Sequence, residues 1–263
     1  LFSDSRNLGA SVDIPYFWAI GDDKNFTITN KIFFDENPLF LGEYHQAFKN
    51  SNFLSDFGYT EGYKKTSNSK KTGKKSHLFT KYTKNFKGKS DSDNTFSFTS
   101  QDVSNDKYFK LYKIKSNLVD YDKDVLENTI DFTHTKDDLF FSFNSSLFET
   151  LKNKYDDKYE YIFPEITVDK NVLSDEKFGN LDLQTNLKVH SYDTNKLTSF
   201  FVNDLNWESN DLILNSTIKN KVLGKLKNIN YEAKNIGIYK EKATSELFGA
   251  IGLLSEIDFQ KKV

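Results

Sequence analysis

Four histidines are the first residues to test for chemistry, because imidazole is the commonest base and metal ligand open to a chain without cysteine. His45, His77, His134 and His190 stand on separate strand-like segments, with no H-E-x-x-H or comparable ligand spacing among them. No G-x-S-x-G elbow, P-loop or dinucleotide fingerprint is present either. The carboxylate pair Asp22 and Asp23 falls in a turn, where Asp is favoured for local hydrogen bonding. One charged feature remains. Between Lys64 and Lys75 lie six lysines, Lys64, Lys65, Lys70, Lys71, Lys74 and Lys75, and no acid. Such a run draws phosphates electrostatically or simply forms a solvated loop. The expectation from these residues is a non-enzymatic protein with no metal and no cofactor.

Composition narrows the class further. The 263 residues carry 36 basic and 38 acidic side chains for a net charge of −2, so overall charge gives no reason to expect a nucleic-acid partner. Aromatics make up 16%, with 25 Phe and 14 Tyr, yet only 37% of residues are hydrophobic. The longest apolar run, Leu247 to Leu254, is far short of the roughly 20 residues a spanning helix needs. Cysteine is absent, which removes disulfides and thiolate metal sites. With no methionine and no signal peptide in the sequence, an internal segment of a longer protein is expected.

The elements that would position any site are strands. Side chains alternate along a strand, so the even positions Ala10, Val12, Ile14, Tyr16, Trp18 and Ile20, extended back to Leu8, share one side, while Asn7, Gly9, Ser11 and Asp13 share the other. About ten residues of that pattern is the length a tilted strand needs to cross a bilayer. Period-two patterning predicts strands near 8–20, 26–35, 39–48, 53–63, 77–86, 95–102, 125–135, 138–149, 159–169, 178–193, 196–208 and 211–223, with one more near 246–260. In 178–193, Leu181, Leu183, Leu187 and Val189 alternate with Asn180, Asp182, Gln184, Asn186, Lys188 and His190. That second face suits a wet interior rather than a packed core.

Short linkers (around 21–25, 49–52, 135–138 and 209–211) interleave with long ones (64–76, 103–124 and 150–158). Residues 36–38 and 170–177 break the alternation. Sided loop lengths are the habit of outer-membrane barrels, with short turns in the periplasm. Tyr16, Trp18 and Trp207 then fall at the periplasmic rim and Phe148 at the opposite one. Pro15 is the odd residue in its strand, since proline cannot donate to a ladder and marks an edge or a bulge. The fold expected is all-β, a single incomplete domain over 1–263: an antiparallel transmembrane β-barrel of which about 12 or 13 strands are present. Two alternatives stay open: another outer-membrane barrel such as a porin or TonB-dependent receptor, or a surface β-sandwich adhesin with apolar residues turned inward.

GASVDIPYFWAIGDDKNFTITNKIFFDENPLFLGEYHQAF at 9–48 resembles the start of the barrel of the LptD lipopolysaccharide-assembly family, in its alphaproteobacterial form. Collinear likeness continues in DVSNDKYFKLYKI at 102–114, through the strands holding Phe141 and Phe148, in YIFPEI at 161–166, and in GNLDLQTNLKVHSYDTNKLTSFFVNDLNW at 179–207. Beyond about residue 225 only strand pattern remains. The resemblance implies a barrel of about two dozen strands, of which this is the first half, without the family's jelly-roll domain or its linking cysteines. It implies an outer-membrane location in a Gram-negative bacterium, and lipopolysaccharide passing through the lumen and a lateral gate into the outer leaflet. The implied partners are an LptE-like plug lipoprotein, outer-membrane lipids, and an LptA-type periplasmic bridge reached through the N-terminal domain. Residues 1–5 would be the tail of the first strand, so the implied gate residues are Phe2, Ser3, Ser11, Asp13 and Pro15. Pro15 matches a family proline that weakens the seam. Asn180, Asp182, Gln184, Asn186, Lys188 and His190 would face the lumen, and the lysine run would lie outside the cell.

Overall fold

The computed structural model describes residues 2–67, 70, 72–152, 157–215 and 218–257. Alternation of apolar and polar side chains over 10 to 17 residues, broken by Asp-, Asn- and Gly-rich turns, produces strands almost throughout. They are β1 (Phe2–Ser5), β2 (Gly9–Gly21), β3 (Lys24–Phe33), β4 (Leu39–Phe48), β5 (Ser51–Gly62), β6 (Thr72–Lys87), β7 (Asp93–Val103), β8 (Val125–Lys136) and β9 (Leu139–Thr150). There follow β10 (Tyr159–Asp175), β11 (Gly179–Tyr192), β12 (Lys196–Glu208), β13 (Leu212–Asn215), β14 (Ile218–Lys234) and β15 (Thr244–Ile257). One short helix, α1 (Tyr108–Tyr112), interrupts the β7–β8 connection.

All the strands belong to one 15-stranded sheet whose order follows the chain from β1 to β12 and then runs β14, β13, with β15 also on β14. Neighbouring strands run antiparallel, and among the described residues the sheet does not close. A β-sandwich would divide these strands between two facing ladders. Two compact units are distinguished by their contacts. The first is Leu1–Phe86 with Thr95–Asp131 and Ser146–Glu160; the second is Lys87–Asn94 with Phe132–Ser145 and Tyr161–Val263.

In the first unit the two sheet faces differ in chemistry, with Phe17, 61% exposed, the apolar exception on the polar side. Ile14, Tyr16, Trp18, Phe40, Phe57 and Leu78 lie on one face and are 42–63% exposed. Register places them side by side, with Tyr16 opposite Ile28 and Phe57 opposite Leu78 and Gly42. The other face carries Asp13, Thr29, Lys31, Glu43, Asp56, Thr60 and His77. The packed core occupies one end of that polar face. Leu8, Phe33, Leu39, Tyr63, Phe79, Val103, Leu126 and Leu151 cluster there with Tyr108, Phe109, Tyr112, Ile114 and Val119 from the β7–β8 connection.

Several expectations need correction. Leu8 is not on the apolar strand face: it sits in the β1–β2 turn and is buried in the core. Residues 170–175 are strand, so the β10–β11 connection is a tight turn, left through Gly179 at φ +83°. The strand expected over 211–223 is two strands, and β14 runs on to Lys234 because pairing with β12 and β15 carries it past Asn228 and Asn230, where the apolar alternation fades. The linker at 103–124 is not all loop: Tyr108, Phe109 and Tyr112 have helical spacing and bury one side of α1.

Candidate functional site

The β1–β2 edge holds the five implied gate residues. β1 pairs with β2 only from Ser5↔Gly9 to Phe2↔Val12, so among the described residues 13–21 of β2 pair with β3 alone. Ser3 and Ser11 are opposite, with their hydroxyl oxygens 2.8 Å apart. Asp13 lies 3.6 Å from Lys31, while Phe2 is 86% exposed. The β2–β3 register runs unbroken from Ser11↔Phe33 to Ala19↔Asn25, so Pro15 introduces no bulge. The reason is parity. Phe34 N–H donates to Ala10 O at 3.1 Å, which makes the even residues of β2 the ones that bond β3. Odd residues, Pro15 among them, aim their backbone groups at the opposite edge. The missing N–H therefore falls on the edge that β1 leaves open.

In the second unit the polar residues of β11 enter a set of cross-strand pairs. Asn171 donates to Asp182 at 2.8 Å, Asn186 to Thr167 at 3.0 Å, and Ser174 to Asn180 at 2.8 Å. Lys188 lies 3.3 Å from Glu165 and Lys227 lies 3.1 Å from Asp204. His190 stacks on Tyr192 with centroids 4.5 Å apart, and Gln184 lines a groove with Asp169 and Asn206. The side chains are half exposed and hydrogen-bonded to one another, so the face is polar and organised without being packed.

The lysine run is anchored rather than free. Lys70 sits 3.1 Å from Glu36 and 4.9 Å from the Tyr63 ring, while Lys64 N–H donates to the same carboxylate at 2.8 Å. Lys75 also lies near Tyr63, at 5.8 Å. Lys64, Lys65 and Lys74 remain exposed, and Lys71 lies outside the described residues. Glu36, itself buried, is the acid the run lacked.

The feature that no motif marked is the seat of the β7–β8 connection. His77, fully buried, has Nε2 3.2 Å from Asp56 Oδ1 and Nδ1 3.2 Å from the Tyr108 hydroxyl. Donation from Nε2–H to the carboxylate leaves Nδ1 to accept from tyrosine, which satisfies both nitrogens. Phe79 meets Phe109 edge-on at 5.2 Å, and Phe33 meets Tyr112 at 5.8 Å. Gly58 makes room for this: a Cβ there would come within 2.5 Å of the His77 ring and 2.8 Å of Leu41. Burial pushes the Tyr108 and Tyr112 phenols up, Tyr112 to about 12, so both hydroxyls stay protonated at physiological pH.

No protein-family model matches this chain. No curated protein matches it either.

Of the four histidines only His77 is brought into a buried polar cluster; His134 instead lies 2.7 Å from Asn94 in the second unit. Among the described residues no three His, Asp or Glu side chains gather as metal ligands. The Asp56–His77–Tyr108 group escaped sequence reasoning because its members are 21 and 31 residues apart and belong to two strands and a helix. The only signal was a lone histidine on an otherwise alternating strand.

Proposed function

We propose that this chain is part of an outer-membrane β-barrel of the LptD type, which carries lipopolysaccharide to the outer leaflet. One observation carries the membrane part of the reading: neighbouring strands expose aromatic and aliphatic side chains on one face and keep hydrogen-bonding groups on the other. In water such a face would be an aggregation surface. In hydrocarbon it is what a barrel wall requires, with polar groups reserved for the lumen. Trp18 lies near the short β2–β3 turn and Trp207 near the end of β12, its Nε1–H bonded to Phe178 O at 2.7 Å, as rim aromatics should be.

The cargo is argued from the sequence resemblance, with support from Pro15. A weak β2 edge lets an acyl chain pass sideways while the saccharide keeps to the polar face. In this reading the barrel performs no reaction: Asn186, Lys188 and their neighbours offer a hydrated path, and the driving energy arrives through the periplasmic bridge. The exposed Lys64, Lys65 and Lys74 suit the phosphates of the outer leaflet.

A photo-crosslinking residue at position 13 of the full-length protein, produced in its own cell, tests the reading. Capture of lipopolysaccharide there, and its loss when synthesis of new lipopolysaccharide is stopped, is the expected result. Capture of phospholipid alone points to another barrel cargo and ends the LptD assignment. Migration on gels that does not change with heating removes the barrel itself.

A further inference from the structure

We infer that Tyr192, Phe200, Tyr231 and Tyr239 build a binding site for a neutral sugar ring, on the polar face of the second unit at the end remote from the β10–β11 turn. Binding here is a property of these side chains; only the source of the sugar rests on the translocation reading. Register brings the residues together. Lys188 is opposite Phe200 and Phe200 is opposite Tyr231, so both rings share the face that carries Asn186 and Lys188. Their centroids are 5.8 Å apart and their planes 26° from parallel. Tyr239, from the β14–β15 connection, stands across both, 5.4 Å from Phe200 and 5.8 Å from Tyr231. Val202 and Ile229, the next pair on the same face, extend the apolar floor.

The rings are half-buried, and Tyr239 is 37% exposed, so each still meets solvent. The negative face of an aromatic ring attracts polarised C–H groups, and the flat apolar face of a pyranose presents a row of them. Hydroxyls complete the match. Tyr44 and Tyr108 spend theirs on protein groups, whereas those of Tyr192, Tyr231 and Tyr239 bond to no described residue. A phenol that is both donor and acceptor suits a sugar hydroxyl, which is the same.

Charge decides which sugar. The lysines beside the rings are matched: Lys188 lies 3.3 Å from Glu165, Lys196 3.2 Å from Asp193, and Lys240 3.4 Å from Glu246. A phosphate or an acidic sugar would have to displace a carboxylate from each of them. A neutral hexose displaces none, and the ion pairs still offer it donors and acceptors at the rim of the site.

The test uses the full-length protein in detergent, with the polysaccharide released by mild acid from the cell's own lipopolysaccharide as the probe. Magnetisation should pass from the protein's aromatic protons to the pyranose protons, and titration gives the affinity. Phe200→Ala should weaken binding by about tenfold or more, since it removes the central ring. Phe201→Ala should leave it unchanged, because Phe201, 42% exposed, lies on the opposite face. Tyr231→Phe combined with Tyr239→Phe keeps every ring and removes two hydroxyls, for a weakening of about five-fold. Heat-shifted migration on gels checks that each variant is folded. Wild-type affinity in folded Phe200→Ala, or no binding to the wild type, would overturn the site. Should Phe200→Ala fail to fold, the double phenylalanine variant decides, and full affinity there overturns it as well. Displacement of the probe by inorganic phosphate overturns the assignment to a neutral sugar. Depleting the whole protein in the cell tests the translocation reading separately, which fails if surface lipopolysaccharide then stays normal.

Discussion

Replacing Pro15 with alanine restores one N–H to the odd-numbered side of β2, the side that points away from β3 and toward the edge β1 leaves open. The β2–β3 ladder does not change, because its bonds use the even residues. If a neighbouring strand pairs there, the gain is one backbone hydrogen bond, worth a net 0.5–1.5 kcal/mol or so. At about 1 kcal/mol the open seam becomes roughly five-fold rarer, since about 1.4 kcal/mol is a factor of ten. Pulse-labelled lipopolysaccharide reaching the cell surface is the measurement, and a slowing of about that size is expected wherever seam opening limits the rate. Pro15→Gly also restores the N–H while leaving the strand floppy, so it should slow export as well; a defect seen with alanine alone points to side-chain packing. Normal export in both variants would refute the parity argument.

The remaining expectations concern the seat and the loops. Tyr108→Phe strands Nδ1 of buried His77, at a cost of about 1–3 kcal/mol, and should lower the temperature at which the heat-modifiable band shifts. Gly58→Val drives a side chain into His77 and Leu41 and should cut the yield of assembled protein, whereas Gly237→Val, where a Cβ meets nothing, should not. Glu36→Gln frees Lys70 and Lys64, so trypsin should cut the 64–75 loop faster in intact cells, with no change elsewhere. Lys110 bonds Asp124 and holds its carboxyl below the ordinary range. A lowered folded-state pKa contributes stability above the unfolded value and loses it as pH falls through the folded one. The temperature at which the heat-modifiable band shifts should therefore fall in Asp124→Asn at neutral pH, and the gap between variant and wild type should narrow only as pH drops below the ordinary carboxylate range.

Most of the sheet was legible in the sequence because period-two alternation is enforced locally, residue by residue, along β2, β5 and β11. The ends of β10 and β14 were less so, because Asn, Lys and Asp populate both strand and turn, and only pairing with the neighbour decides between them. The polar row from Asn180 to His190 was visible as a face, but its partners Glu165, Thr167 and Asn171 lie on another strand and required register. The seat under Tyr108 was illegible for a different reason. It depends on Gly58 being flat, His77 being buried and a helix of only five residues arriving from a long connection, and each is unremarkable alone. Glu36 shows the same limit, since a lysine run reads as unpaired until a residue 34 positions away folds against it.

The reach of those contacts has a consequence for assembly. Asn117 meets Glu43 across 74 positions in the chain and Tyr108 meets His77 across 31. Contacts this remote carry a loop-closure cost that only preformed surroundings can offset. The floor under Tyr108 is supplied by β4, β5 and β6, and Leu126 of β8 and Leu151, just past β9, close its sides. The helix can dock only after those strands stand in register. Its burial is thus a late event in folding, and protection of the buried Tyr108 and Tyr112 rings from modification offers a clock for when those strands have come together.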